Sequence, residues 1–315
     1  MNVLIVCSGN FENFSFEKHQ AFIYDQINAV CKFNNLIIFH TFFIKGRGVK
    51  GYLQNLKQLR SKIKEAKIDL IHAHGGHIGL LCALQRKVPG LVTFHGSDIN
   101  NKKLRVISFF AELLSKKTIY VSSKLLNKAI YITKQKSFVI PCGVDTDLFY
   151  PVDFKIARLK TGFGSQKKHI LFSSAFTNSV KNYPLLKQAL QFISDSAIEV
   201  HELKNYSREE VNLLINSVNL CVMTSFTEGS PQFIKEAMAC NVSIVSTDVG
   251  DVKDILENTE GTFICTYDPN DVAEKIKLAL AFGKRTNGRE KIKHLDNKLI
   301  AEKIVNVYKT VLKID

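Results

Sequence analysis

No apolar run in these 315 residues approaches the ~18 needed to cross a bilayer as a helix. The opening, MNVLIVCSGN, lacks a basic flank and passes straight into strand-like residues, so no secretory leader is expected. Both absences predict a cytoplasmic protein. No C-x-x-C pair occurs. The seven cysteines (Cys7, Cys31, Cys82, Cys142, Cys221, Cys240, Cys265) are scattered, odd in number and set mostly among apolar neighbours, which predicts buried free thiols. Internal repeats and low-complexity segments are missing too, and a hydrophobic content of 45% is ordinary for a globular chain, so disorder is excluded. The dinucleotide fingerprint G-x-G-x-x-G is absent: Ser8-Gly9-Asn10 follows the first strand-like run, but Phe11-Glu12-Asn13-Phe14 supply none of the further glycines. Acidic residues are scarce in the first half. Residues 1–150 hold 21 Lys and Arg against 9 Asp and Glu, and residues 151–315 hold 22 against 20, so nearly all of the net charge of +14 sits in the first half. Any long-range attraction to an anionic surface acts through that half.

What is present is an alternation of strand-like and helix-like segments, which predicts two doubly wound parallel sheets facing a cleft. The most informative segment is Asn219 to Asp251, NLCVMTSFTEGSPQFIKEAMACNVSIVSTDVGD. Leu220 to Met223 reads as a strand, Thr224 to Gly229 as a loop, and Val242 to Ser246 as the next strand. Between them a helix is expected, with Ser230 as N-cap, Pro231 at the first helical position and Asn241 closing the end. Glu236 lies among Phe233, Ile234, Ala237 and Met238, where an ionised side chain is costly unless it is hydrogen-bonded. A sugar diol would serve, and Gln232 shares its helical face four residues earlier. The backbone N–H groups of Gly229, Ser230 and Gln232 suit a phosphate.

Other segments add candidates. Asp69 to His74 and Leu91 to Phe94 read as strands, the second ending in His95-Gly96-Ser97-Asp98, so His95 and Asp98 fall where parallel sheets bind ligands. His72 and His74 share one strand face, but no Asp, Glu or Cys near them completes a metal-ligand set. Asp145 and Asp147 form a D-x-D in a segment punctuated by Pro and Gly, where short acids make turns. Tyr52 to Lys67 reads as one amphipathic helix, with Leu53, Leu56, Leu59 and Ile63 on one face and Lys57, Arg60, Lys64 and Lys67 on another. That basic stripe suits an anionic membrane or an acidic acceptor. It lacks the interleaved aromatics of a nucleic-acid surface, so nucleic acid is not an expected partner.

The pair Glu228 and Glu236, spaced E-x7-E with Gly-Ser-Pro after the first and EAMAC continuing from the second, resembles retaining glycosyltransferases of family 4. The resemblance runs from the first strand to the last helix. It implies the GT-B fold: an acceptor-side Rossmann-like domain (1–145), a nucleotide-sugar-binding domain (146–297) and a C-terminal helix (298–315) crossing back onto the first. It also implies that Glu228 contacts the donor sugar, Glu236 the ribose and Gly9 the donor phosphates, with His95 near donor sugar and acceptor. Lys181 matches the family's phosphate-gripping Lys, but Ala175 stands where an Arg is usual, one positive charge fewer. With Lys181 and the helix start at Gly229 to Gln232 neutralising the diphosphate, the expected reaction needs no cofactor and no metal. The expected partners are a nucleoside-diphosphate sugar and a saccharide or lipid-linked acceptor, on the inner face of a membrane, in cell-surface polysaccharide or glycolipid synthesis. A sugar-nucleotide 2-epimerase of the same fold and a donor-binding protein with weakened catalysis are the alternatives.

Overall fold

The computed structural model describes residues 1–130 and 136–314. They form two compact units, one of Met1–Gly143 with the chain from Asn297 onward, the other of Val144–Asp296. In the first unit β1 (Asn2–Ser8), β2 (Ile38–Ile44), β3 (Leu70–His74), β4 (Gly90–Phe94), β5 (Lys117–Tyr120) and β6 (Ser137–Val139) make one sheet in the order β2-β1-β3-β4-β5-β6. Every pairing in it is parallel. Its inner strands are buried on both faces, which is why β1 and β3 read as continuous apolar runs rather than alternating ones. One face packs Leu4, Val6, Ile71, Ala73, Val92 and Phe94 against Leu59 and Ile63.

The second unit repeats the plan with β7 (Lys168–Phe172), β8 (Ile198–Glu202), β9 (Leu220–Met223), β10 (Ile244–Thr247) and β11 (Thr262–Cys265), ordered β11-β10-β9-β7-β8 and again parallel. Ile170, Phe172, Leu220, Val222 and Val245 pack against the helices Tyr183–Leu190 and Pro269–Phe282. Each sheet starts in its middle, places its second strand on one side and its third on the other. Ligands gather at such a reversal, beyond the carboxyl ends of the two strands. The reversals fall between β1 and β3 in the first unit and between β7 and β9 in the second.

The doubly wound α/β class expected from the sequence is what the chain adopts, and several local expectations need correction. The segment read as one helix from Tyr52 to Lys67 is two, Gly48–Leu53 and Asn55–Glu65. The break is held by buried Asn55, whose side chain accepts from Lys45 N and donates to the carbonyls of Lys45, Gly51 and Tyr52. Leu53 is consequently exposed, and the apolar face rests on Leu59 and Ile63. A break at Gln20, whose φ of −132° is not helical, likewise separates the helices Phe16–His19 and Ala21–Phe33. Ser230 is not an N-cap: the helix is Gln232–Ala239, and Pro231 occupies the cap with no side-chain bond. Asn241 does end it, with φ at +57°. Cys31 is exposed and Cys142 partly so, while the other five cysteines are buried. Asp145 accepts from the amides of Asp147 and Leu148, the turn role expected of the D-x-D.

The last helix, Asn297–Leu312, belongs to the first unit and packs along Ala21–Phe33. It buries Tyr308 completely and sets its hydroxyl 2.8 Å from His72 Nδ1.

Candidate active site

In the second unit, the loop after β7 carries Lys181 and the loop after β9 carries Glu228, so both stand at the strand-order reversal. Lys181 Nζ donates to Glu228 Oε1 at 2.6 Å. The loops are tied by backbone as well: Phe226 N donates to Val180 O, and Thr224 Oγ1 donates to the carbonyls of Lys181 and Asn182. The short pair is therefore held by its frame rather than by two wandering side chains.

Eight residues on, Glu236 is 3% exposed on the Gln232–Ala239 helix and accepts a 2.6 Å bond from Arg208 Nη1. Arg208 opens the helix Arg208–Ser217, directly after its Ser207 cap, and its guanidinium also lies 4.7 Å from the centre of the Phe149 ring. A charge-assisted bond to a guanidinium satisfies a buried carboxylate that would otherwise be costly. The Gln232 Oε1 on the same helix is buried without a protein partner among the described residues. An acceptor left in this state fits a site whose remaining donor comes from a ligand.

The loop between Glu228 and Glu236 rests on a buried polar chain. Lys235, wholly buried, donates to Ser230 Oγ at 2.5 Å, and Ser230 donates to Asp251 Oδ2 at 2.5 Å. Burial pushes the Asp251 carboxyl up, with the Lys235 charge and the Ser230 hydroxyl pulling the other way. Ser230 thus anchors the β9 loop to the β10 loop instead of capping the helix. The same loops touch at Gly250, whose φ is +58° and where a Cβ would lie 2.5 Å from Gly229 O. Pro231 and Gly229 shape the approach to the helix start.

The first unit holds the other two candidates. Gly9 follows β1, and its amide donates to Ile44 O at 2.9 Å, so that N–H is already engaged. A Cβ there would meet Phe43 Cβ at 2.9 Å, which explains the glycine by close packing against β2. Gly9 lines a cavity that also exposes Lys45 and Arg47. His95 follows β4. Its Nε2 is 2.9 Å from His74 Nδ1, its ring is 4.9 Å from that of Phe22, and its amide donates to Asp98. Asp98 is buried and accepts from the amides of His95 and Gly96, so it braces the turn that carries His95. Behind them, both nitrogens of His72 are taken by Tyr308 and Thr93, and burial pushes its pKa down to about 3. Burial also lowers His74 well below the usual imidazole range. Both rings are neutral in the ordinary pH range and serve as a rigid backing for His95.

Arg208 and Lys235 were not legible as site residues. Arg208 reads as part of a capping box, and its bond to Glu236 spans 28 positions. Lys235 had one signal, a lysine set directly before Glu236 in an apolar helical stretch.

Two parallel doubly wound units, with a carboxylate pair eight residues apart spanning a loop and helix start at a strand-order reversal, agree with a glycosyltransferase of the GT-B fold. Comparison with known proteins agrees. Residues 3–148 match Glycosyltransferase Family 4 and residues 183–281 match the Glycosyl transferases group 1 family. An uncharacterized glycosyltransferase of Methanocaldococcus jannaschii is 28% identical over 264 residues, covering 78% of this chain and 75% of that one. The UDP-Gal:alpha-D-GlcNAc-diphosphoundecaprenol alpha-1,3-galactosyltransferase of Escherichia coli is 22% identical over 307 residues, covering 84% and 77%. Sucrose-phosphate synthase from Thermosynechococcus elongatus superposes over 99% of both chains with a TM-score of 0.80 at 16% identity. The chain is a glycosyltransferase-type enzyme of the GT-B fold, related to these families.

Proposed function

We propose that this enzyme is a retaining transferase that moves a sugar from a nucleoside-diphosphate sugar to a hydroxyl of a saccharide or lipid-linked acceptor, in the synthesis of a cell-surface polysaccharide or glycolipid. One observation carries the reading: the loop and helix from Glu228 to Glu236 hold two carboxylates, each already paired with a cation, on either side of a helix start rich in backbone N–H groups. Glu236 accepts from the ribose hydroxyls and Glu228 from those of the donor sugar. Lys181 then exchanges Glu228 for the diphosphate and stabilises the charge that develops as the sugar departs. The amides of Gly229, Ser230 and Gln232 support the same phosphates. Arg208 supplies the second cation that the alanine at position 175 lacks. In the first unit, His95 and Gly9 are the candidates for ligand contact, His95 at the end of β4 and Gly9 at the cavity it lines with Lys45 and Arg47. Attack takes place on the face from which the diphosphate leaves, and a phosphate oxygen of the leaving group takes the acceptor proton.

Protein cations do the charge neutralisation in this scheme, so activity is expected to persist in EDTA. A lipid-linked acceptor is favoured by an apolar cavity of about 560 Å³ in the first unit, lined by Val49, Tyr52, Leu80, Leu84, Leu104 and Ile107 with Arg47 at its margin. The acceptor in the name of the Escherichia coli relative, a diphosphoundecaprenol, has that mixed apolar and anionic chemistry. The decisive experiment is a thermal-shift screen over UDP-, GDP-, ADP- and CMP-sugars, followed by product analysis at the anomeric carbon. A donor present at 100 times its dissociation constant should stabilise the chain by ~2.7 kcal/mol. No stabilisation by any donor, or a product with inverted configuration, would overturn the proposal.

A further inference from the structure

Of the two histidines that share a face of β3, His72 has both nitrogens hydrogen-bonded and His74 has its Nδ1 on His95, and a different set has ligand geometry. His169 on β7 stands opposite Glu199 on β8, and His201 follows two residues later on the same strand face. The ligand atoms of these three residues lie within 4.8 Å of one another, the one such His, Cys, Asp or Glu group among the described residues. We propose that His169, Glu199 and His201 form a binding site for a divalent transition metal of the zinc class, apart from the transfer chemistry.

The geometry is close to what such an ion requires. His169 Nδ1 and His201 Nε2 are 2.9 Å apart, and His169 Nδ1 is 3.9 Å from Glu199 Oε2. Zinc bound at ~2.0–2.2 Å to nitrogen and carboxylate oxygen separates neighbouring ligands by roughly 3.3–3.5 Å. Small rotations of Glu199 and His201, neither of them fully buried, close that difference. The tautomer is preset. His169 Nε2 faces the carbonyl of Gly164 at 2.9 Å and must donate to it, so Nδ1 carries the lone pair and points at the other two ligands. Phe163 stacks on both imidazoles, with ring centres 4.6 Å from His169 and 4.1 Å from His201, and fixes their planes. Lys167 competes for the carboxylate, pairing with Glu199 at 3.1 Å through two half-exposed side chains, and such a pair is weak. Two imidazoles and a carboxylate suit zinc, with water completing the shell.

The site sits on the face of β7 and β8 away from the core of Ile170, Phe172 and Val200, whereas Lys181 and Glu228 lie beyond the ends of β7 and β9. A bound ion would pin the edge strand β8 to β7 and to the Phe163–Gly164 turn. Its role is therefore that of a staple. The test uses the full chain without a histidine tag, stripped with EDTA and titrated with zinc chloride by calorimetry. One ion per chain is expected, with a raised unfolding midpoint, and Glu199→Gln and His201→Gln should each weaken binding by about tenfold or more. Both substituted positions are partly exposed, so the variants keep the fold, and nucleotide-sugar binding should be unchanged in them. No zinc uptake by the wild-type chain, or equal uptake by both variants with the cysteines as the alternative ligands, would overturn the proposal.

Discussion

Glu236 is the residue on which the donor site turns. It is buried, it is paired with Arg208, and in the proposed scheme it accepts the ribose hydroxyls. Glu236→Gln keeps the shape but removes the charge. Nucleoside-diphosphate binding should weaken by ~1.5–3 kcal/mol, the range for a hydrogen bond to a charged group, while far-ultraviolet circular dichroism stays unchanged. Unchanged affinity by calorimetry would remove Glu236 from the donor site. The two acids could be read from sequence because their spacing along loop and helix is local. Their cations could not: Lys181 was expected at the phosphates rather than on Glu228, and Arg208 reaches Glu236 from another helix. Local pattern reports which groups need partners, and only the folded chain reports which partners arrive.

Among the elements, the helix Lys102–Leu114 carries a pH dependence. Its Glu112 is buried, and burial raises its pKa from 4.5 to about 7, against weaker opposing effects from Tyr120, Lys136 and Ser137. Below pH 4.5 the group is protonated whether the chain is folded or not, so it adds no pH dependence. As pH rises from 4.5 towards 7 the unfolded chain releases the proton first, so the contribution of Glu112 falls through that window and is constant above it. Glu112→Gln should therefore unfold at the same midpoint as the wild type at pH 4 and at a higher one at pH 8. Parallel curves at both pH values would show that Glu112 titrates normally. Element types were legible where buried parallel strands and amphipathic helices leave strong patterns, but the short strands β6 and β11 were not. Boundaries were less so. The break at Gln54 depends on Asn55 bonding to a carbonyl ten residues back, and the displaced cap at Ser230 depends on Asp251 claiming its hydroxyl.

For the whole molecule, no helix among the described residues is long and apolar enough to cross a membrane. Contact with a membrane would be made from the surface. Lys57, Arg60, Lys64 and Lys67 are all exposed, although Arg60 also donates to Leu84 O. Each basic residue near an anionic leaflet contributes about 1 kcal/mol, so the set gives reversible docking. The chain should co-sediment with vesicles of anionic lipid, not with neutral ones, and salt should release it. Replacing the four by Gln should abolish docking and leave donor binding intact. Equal sedimentation with neutral vesicles would leave a soluble acceptor as the better explanation. The return of the last helix to the first unit bears on how the chain is made. Synthesis runs from the amino end, so Val144–Asp296 can complete its sheet on the ribosome while the first unit still lacks Tyr308 and the helix that covers Ala21–Phe33. The unit made first is thus the unit finished last. A chain truncated after Asp296 should protect its second unit from protease and leave its first unit open to cleavage.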